Sequence, residues 1–534
     1  MLAEKKIEIS ELGKEKIIFK STYSWALCLN ANCEEKQRYY SLTANDLNYQ
    51  KLQKLIPNLE SSKISFKFSS NPLNKSLSRL RNYQLEDVNF LSKLKNIGIF
   101  SEMRTGKTPI ALMAFSKLPT TNLLIISPSI LQQQWQKAVE DWLSKPAYII
   151  TFLEKEWRYE FYQKILSEEE WIIIVSKDTF KTDSSHFKKL KKKKGTNNNY
   201  CVIIDEAHFL RNYQSQQSKS VYLLKDAQYK MALTGTPIVN HHTDIFGILK
   251  FLQPEIYSSY WKFAEEYFYV RKLEFKKVKK KFLIRQVKNF KSEKKKQALQ
   301  KEISQFSVNR RQKDVLPWLP LVIYQKEYLL MEEKQQDVYS QWKEKWKSKY
   351  QPLEILAKLK TLTLYPPALG FEQSLGVKIN YLVNLLQESK EQSIIVFSTR
   401  SETFLEPLDK ILKTQKIATG LIIGQTSYQE KEKYIHQFQN KELNVLLCNL
   451  QTAGMGLNLS QAETIIFADR SYSPADNEQA EARFLPTTGE DIPRVRLVID
   501  LICKGTIDEK ILELLKRKED ITKILNNNPE YFFA

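Results

Sequence analysis

Two short strings, about a hundred residues apart, constrain what this chain can fold into more than anything else in it. Ser101-Glu102-Met103-Arg104-Thr105-Gly106-Lys107-Thr108 ends in Gly-Lys-Thr, and Val202-Ile203-Ile204-Asp205-Glu206-Ala207-His208 is an apolar run ending in two carboxylates. A Gly-Lys-Thr turn suits a polyphosphate. Loop amides surround the β-phosphate, the lysine ammonium meets the β/γ oxygens, and the threonine hydroxyl ligates Mg²⁺. Adjacent acids at the end of a buried strand offer one carboxylate to the metal and one to an attacking water. Gly-Lys-Thr alone recurs by chance in a lysine-rich chain. Both strings, in this order and each after an apolar strand, point to ATP and Mg²⁺ as ligands.

The strands around these strings are short and purely apolar. Asn122-Leu123-Leu124-Ile125-Ile126, Trp171-Ile172-Ile173-Ile174-Val175 and Cys201-Val202-Ile203-Ile204 alternate with amphipathic stretches. Strands of this purity are buried on both faces, which predicts a parallel α/β sheet from about 76 to 255. A second series, at Ser393-Ile394-Ile395-Val396-Phe397, Asn444-Val445-Leu446-Leu447-Cys448 and Thr464-Ile465-Ile466-Phe467, predicts another α/β lobe over 371–534. Residues 1–75 carry short alternating runs (Lys16-Ile17-Ile18-Phe19 and Ile64-Ser65-Phe66-Lys67-Phe68) and no chemical motif. They read as a small accessory domain.

The 534 residues suffice for about three domains, and 42% apolar content excludes a disordered chain. The five scattered cysteines, Cys28, Cys33, Cys201, Cys448 and Cys503, complete no zinc pattern and read as reduced thiols. No apolar run approaches the ~18 residues of a membrane span, and the N-terminus lacks an apolar signal core. A soluble cytoplasmic protein is the expectation.

A formal charge of +21 points toward a polyanionic partner. Between Arg271 and Gln300 stand 13 Lys or Arg against 2 Glu, about half of the excess charge. This stretch lies in a segment, 256–370, expected to be helical and to join the two lobes. Lys276, Lys277, Lys279, Lys280 and Lys281 are its candidate nucleic-acid contacts, with a solvated helix face as the alternative. A second run, Lys188-Lys189-Leu190-Lys191-Lys192-Lys193-Lys194, reads as a solvated loop between strands.

Further motifs make a family resemblance specific. Leu80-Arg81-Asn82-Tyr83-Gln84-Leu85-Glu86-Asp87 precedes the phosphate loop, and Leu233-Thr234-Gly235-Thr236-Pro237 follows the carboxylates. Later come Arg310-Arg311-Gln312-Lys313-Asp314-Val315, Gly454-Met455-Gly456-Leu457-Asn458-Leu459, Gln479-Ala480-Glu481-Ala482-Arg483 and Gly505-Thr506-Ile507-Asp508-Glu509. From about 78 to 518 the chain resembles the Swi/Snf-type, DEAH-box ATPases of the second helicase superfamily, in a compact prokaryotic or phage form. The resemblance implies two RecA-like lobes that bind ATP in the crevice between them and alternate their grip on DNA as it opens and closes. The DNA would be duplex, with one strand tracked.

Roles follow position by position. The resemblance assigns Gln84 to the adenine edge, with helix capping as the alternative. Met103, Arg104, Thr105, Gly106, Lys107 and Thr108 form the nucleotide loop. Thr108 and Asp205 take Mg²⁺, and Glu206 polarises the water. His208 links the nucleotide site to Thr234 and Thr236. Gly456 and Asn458 approach DNA, and Gln479 and Arg483 complete catalysis. Two departures stand out. Arg104 occupies a position where the family usually has glycine, and either touches phosphate or points to solvent. Pro486 stands where the family places a second arginine, so Arg483 acts alone, or Arg494 or Arg496 substitutes, or the enzyme is slow. Two other readings remain, a strand-separating helicase and a nucleic-acid-binding scaffold with a decayed ATPase.

Overall fold

The computed structural model describes residues 7–12, 16–21, 32–33, 39–43, 76–193, 199–238, 241–277, 280–316, 320–344, 351–372, 374, 376–454, 459–485, 495–517 and 530–533. The chain divides into two compact units, 1–315 and 316–534.

The first unit opens on four strands, β1 (Ile7–Leu12), β2 (Lys16–Ser21), β3 (Asn32–Cys33) and β4 (Tyr39–Thr43), in an antiparallel sheet of order β1-β2-β4-β3. The Ile64–Phe68 run lies outside the described residues. A seven-stranded parallel sheet follows. Its strands are β5 (Asn96–Ile99), β6 (Leu123–Ser127), β7 (Tyr148–Ile149), β8 (Ile172–Ser176), β9 (Cys201–Ile204), β10 (Tyr229–Leu233) and, after a β11–β12 hairpin, β13 (Ser307–Val308). Their order is β13-β5-β10-β9-β6-β8-β7. Alternation along each strand explains the sealed core. Leu124, Ile126, Ile173, Val175, Val202 and Ile204 pack in one apolar cluster, and Leu123, Ile125, Ile172, Ile174, Cys201 and Ile203 in another. With both faces covered, polar chemistry is left to the strand ends.

The second unit repeats the plan with β14 (Val322–Leu329), β15 (Ile394–Ser398), β16 (Thr419–Ile422), β17 (Val445–Asn449), β18 (Thr464–Phe467) and β19 (Arg496–Cys503). They form a parallel sheet of order β14-β19-β18-β15-β17-β16. Two buried ion pairs brace the carboxyl ends of its strands. Lys360 Nζ lies 2.7 Å from Asp469, which also accepts the Thr399 N–H at 3.0 Å just past β15. Lys378 Nζ lies 2.7 Å from Asp508 and donates to the Ala468 carbonyl at 2.6 Å. The Asp508 singled out near the chain's end is therefore a brace. Each lobe is the expected RecA-like α/β layer.

The segment expected to join the lobes as a helical insertion is divided between them. β13 belongs to the first sheet and β14 to the second. Its most basic part is a β-hairpin, not a helix, formed by β11 (Phe268–Lys277) and β12 (Lys280–Phe290). The reason is in the apolar residues between the lysines. Phe268, Val270, Leu273, Phe275, Phe282, Ile284 and Val287 are β-formers, and the register pairs Leu273 with Ile284 and Phe275 with Phe282. Helix resumes only at Glu293–Ser304. The other lysine run is also corrected. Lys188–Lys193 continue the helix Lys177–Lys193 rather than forming a loop.

Cys201, Cys448 and Cys503 are free and buried, and Cys28 lies outside the described residues. Among the described residues, no helix is long and apolar enough to cross a membrane.

Gly247 shows how closely the first unit packs behind its carboxylates. It sits on the helix Ile245–Leu252, and a Cβ there would stand 1.9 Å from the Leu210 carbonyl oxygen. That oxygen belongs to the 3₁₀ turn Ala207–Arg211, directly after Glu206. Gly247→Ala must displace backbone, so it should destabilise the protein by about 1–3 kcal/mol or more. A denaturant midpoint that does not fall would contradict this packing.

Candidate functional site

The order β5-β10-β9 sets three chemically distinct strand ends side by side. The phosphate loop follows β5, Thr234-Gly235-Thr236 follows β10, and Asp205-Glu206 follows β9. An open parallel sheet binds ligands at this carboxyl edge.

After β5 the chain enters the helix Lys107–Ser116 through Gly106 at φ +79°. A Cβ on Gly106 would lie 2.1 Å from Gln84 Nε2, so both conformation and space require glycine. The Thr105 hydroxyl donates to the Glu102 carbonyl at 2.7 Å, and Lys107 Nζ reaches the same carbonyl at 3.3 Å. Arg104 has φ +63°. This is the left-handed region that costs a non-glycine residue roughly 1–2 kcal/mol, which explains why glycine suits the position.

Gln84 is buried at the start of the helix Asn82–Leu91. Its Oε1 accepts the Arg81 N–H at 2.9 Å, and its Nε2 donates to the Thr105 carbonyl at 3.1 Å. The Tyr83 hydroxyl donates to that carbonyl at 2.9 Å. The amide thus caps its helix, the alternative raised for it, and also ties that helix to the phosphate loop.

Asp205 is buried at the end of β9. Oδ1 accepts the Glu206 N–H at 2.9 Å, and Oδ2 accepts the Trp135 indole N–H at 2.8 Å. Burial, and then the Glu206 charge, push the Asp205 carboxyl up to about 6, while the Trp135 hydrogen bond and the Lys107 charge pull it down. Glu206 has φ +50°, in the left-handed region that strains a non-glycine residue. His208 Nδ1 lies 3.2 Å from Glu206 Oε2 and 3.4 Å from the Thr234 hydroxyl, which accepts the Thr236 N–H at 3.2 Å. The structure therefore brings Glu206, His208, Thr234 and Thr236 into one chain of contacts. The Thr236 hydroxyl is buried with no hydrogen-bond partner among the described residues, a polar atom left for a ligand or water.

In the second unit, Gln479 and Arg483 share a face of the helix Pro474–Phe484, at i and i+4. Arg496 has a different occupation. Its guanidinium donates to the Ala462 and Ser460 carbonyls, each at 2.7 Å, and to the Phe484 carbonyl. That structural use argues against Arg496 as the substitute for a second arginine. Arg494 and Pro486 lie outside the described residues, as do Gly456, Asn458 and Lys279. Lys276, Lys277, Lys280 and Lys281 are placed only as backbone, opposed across the hairpin as Lys276–Lys281 and Lys277–Lys280.

Four residues of the first unit's site were missed by the reading from sequence: Tyr83, Trp135, Arg310 and Gln312. Trp135 has no local signal, because its partner Asp205 lies 70 residues away. Arg310 and Gln312 fall in a motif noted for resemblance alone, and both bond around the phosphate loop.

A family model described as an SNF2-related domain matches residues 83–363, and one described as a helicase conserved C-terminal domain matches 377–485. An uncharacterized ATP-dependent helicase of Mycoplasma pneumoniae is 25% identical over 479 residues, covering 86% of this chain and 43% of that protein. The SWI/SNF-related matrix-associated actin-dependent regulator of chromatin subfamily A member 1 of Mus musculus is 25% identical over 501 residues, covering 87% and 45%. This chain thus spans less than half the length of these relatives. The Sulfolobus solfataricus SWI2/SNF2 ATPase core in complex with dsDNA is similar at a TM-score of 0.39 and 24% identity, over 87% of this chain and 96% of that one.

The raised Asp205 carboxyl predicts a pH dependence of known sign. If Asp205 holds a cation, as expected from the sequence, that cation competes with a proton below about 6 and meets a free carboxylate above it. Mn²⁺ affinity in the presence of nucleotide should therefore fall as pH drops through about 6. Trp135→Phe removes a hydrogen bond to the charged form and should move the inflection upward. A flat profile from pH 5 to 8 would contradict the assignment.

Proposed function

Because the chain belongs to the SNF2-related family, we propose that it is an ATP-driven translocase that hydrolyses ATP and moves along duplex DNA, in repair, replication or defence. The observation that supports this most is the contact chain from Glu206 through His208 to Thr234, set beside the strand ends that carry Lys107 and Asp205. It offers a base for water at one end and a reporter of phosphate state at the other.

In this reading Lys107 holds the β/γ oxygens, and the loop amides from Met103 to Thr108 cradle the phosphates. Gln84 meets the adenine edge with the second N–H and second lone pair that its cap and its bond to Thr105 leave over. Glu206 orients the attacking water and takes its proton. His208 passes the change at Glu206 to Thr234 and Thr236. Gln479 and Arg483 stabilise charge on the transferred phosphoryl group. Mg²⁺ suits the donors present, since the Asp205 carboxylate and the Thr108 hydroxyl are hard oxygens. Thr108 and Asp205 would hold it, and when bound it neutralises phosphate charge.

The hairpin is assigned to the DNA backbone. Its register opposes Lys276 to Lys281 and Lys277 to Lys280, and like charges directly opposed destabilise a strand pair. A polyanion relieves that repulsion. Other cations of the stretch are already engaged, Arg285 with Glu265 and Lys295 with Glu266. Residues 1–75 are assigned as an accessory domain, 76–255 and 371–534 as the ATPase lobes and 256–370 as the basic connection.

Lys107→Ala should abolish hydrolysis and leave the fold intact, while Glu206→Gln should bind ATP without turning it over. Arg483→Ala should slow turnover by roughly two to three orders of magnitude. ATP hydrolysis measured with no nucleic acid, duplex DNA, single-stranded DNA and RNA decides the substrate, and no stimulation by duplex DNA would sink the translocase reading.

If about four hairpin cations meet phosphates, they should contribute about −3.6 to the slope of log affinity against log salt. Replacing Lys276, Lys277, Lys279, Lys280 and Lys281 by Gln should flatten the slope by that amount and weaken binding evenly across sequences. An unchanged slope would make the hairpin tip a merely solvated one.

A further inference from the structure

The string Arg310-Arg311-Gln312 has no part in the chemistry assigned so far, yet it is bonded to the phosphate loop at four points. The parallel pairing of β13 with β5 does not stop at the end of the strands. Phe100 N–H donates to the Val308 carbonyl at 2.9 Å, Glu102 N–H to the Arg310 carbonyl at 2.9 Å, and Arg310 N–H to the Ser101 hydroxyl at 3.0 Å. Beyond them, Gln312 N–H donates to the Glu102 carboxylate at 2.8 Å and Gln312 Nε2 to the Met103 carbonyl at 2.8 Å. The Arg310 guanidinium then reaches back to the helix that carries Gln84. It meets Asp87 through Nη2 at 2.6 Å and Nε at 3.0 Å, and Glu86 at 3.4 Å. The Asp87 side chain is 1% exposed. Burial raises its pKa while Arg310 pulls the other way, so the carboxylate depends on this partner.

We propose that Arg310 and Gln312 are positioning residues that hold the phosphate loop in the form that receives a nucleotide. They act through Asp87 on the helix bearing Gln84, and through Glu102 on Lys107. Glu102 is the hub. Its carboxylate and N–H are held by the 310–312 segment, and its carbonyl receives the Thr105 hydroxyl and the Lys107 ammonium. Lys107 must leave or share that carbonyl to meet phosphate, so the position of Glu102 fixes where the ammonium starts. Met103, held by Gln312, precedes the strained Arg104, and the same amide keeps that turn from relaxing. The segment ends the first unit at Val315, so the strand that leaves the ATP-binding lobe is bonded to its nucleotide loop.

This rests on the ATPase reading, and the test separates the two. Affinity for a fluorescent ATP analogue and steady-state KM and kcat for ATP are measured on wild type, Gln312→Ala, Arg310→Ala, Arg310→Lys and Asp87→Asn, with thermal midpoints alongside. Loss of positioning should raise KM and the analogue's Kd roughly tenfold or more, with a smaller change in kcat. Arg310→Lys should recover part of the loss, and Asp87→Asn combined with Arg310→Ala should be no worse than Arg310→Ala alone. A purely structural role lowers the active fraction, so kcat per mole falls while KM stays. Arg310→Ala leaves a buried carboxylate unpaired and can fail to fold, but Gln312→Ala strands no buried charge and keeps the test decisive. Gln312→Ala frees Met103 but keeps the Gln312 N–H, so Glu102→Ala, which removes the exposed carboxylate that accepts it, is measured beside it. An unchanged KM in both folded variants overturns the proposal while the ATPase reading stands. A wild type that binds no nucleotide overturns both.

Discussion

Sealing both faces of a parallel sheet is the constraint on which the rest of this molecule depends. Each central strand sends alternate apolar side chains into opposite clusters, so no charged group can sit along its length without desolvation. Polar function is driven to the carboxyl ends. There the order β5-β10-β9 sets the phosphate loop, the threonine turn and the two acids in neighbouring positions. The second lobe obeys the same rule differently, bracing its strand ends with Lys360–Asp469 and Lys378–Asp508. Breaking either pair would leave an uncompensated buried charge, a loss of about 3–5 kcal/mol.

Much of this was legible in the sequence, because apolar strands of this length have one common solution. The two lobes, the phosphate loop and the Asp205-Glu206 pair could be placed from pattern and residue chemistry. The link from His208 to Thr234 followed from the family resemblance. What could not be read is of two kinds. Contacts such as Trp135 to Asp205 and Arg310 to Asp87 join residues 70 and 223 positions apart, and no local pattern encodes them. Gln84 shows the second kind. Its amide has two ends, and only coordinates show that one caps its own helix while the other holds Thr105.

The hairpin is the instructive misreading. Thirteen cations in thirty residues drew attention to charge, and charge carries no period. The period lay in the fewer apolar residues, Leu273 with Phe275 and Phe282 with Ile284, which favour strands in a composition dominated by lysine. The lysine run before Asn197 erred in the opposite direction. A loop was expected from charge, but lysine is a good helix former, and the preceding helix simply continues through Lys193.

The left-handed Arg104 has a consequence for the temperature dependence of binding. A glycine at that position would let the free loop sample many backbone states, all of them lost when phosphates arrive. An arginine samples few, and Met103 beside it is already held by Gln312. If this loop takes the phosphates, as proposed, it meets them with little disorder left to give up, having surrendered it when the protein folded. Binding by such a loop should carry a smaller unfavourable entropy than a glycine-bearing loop, and so weaken less on warming.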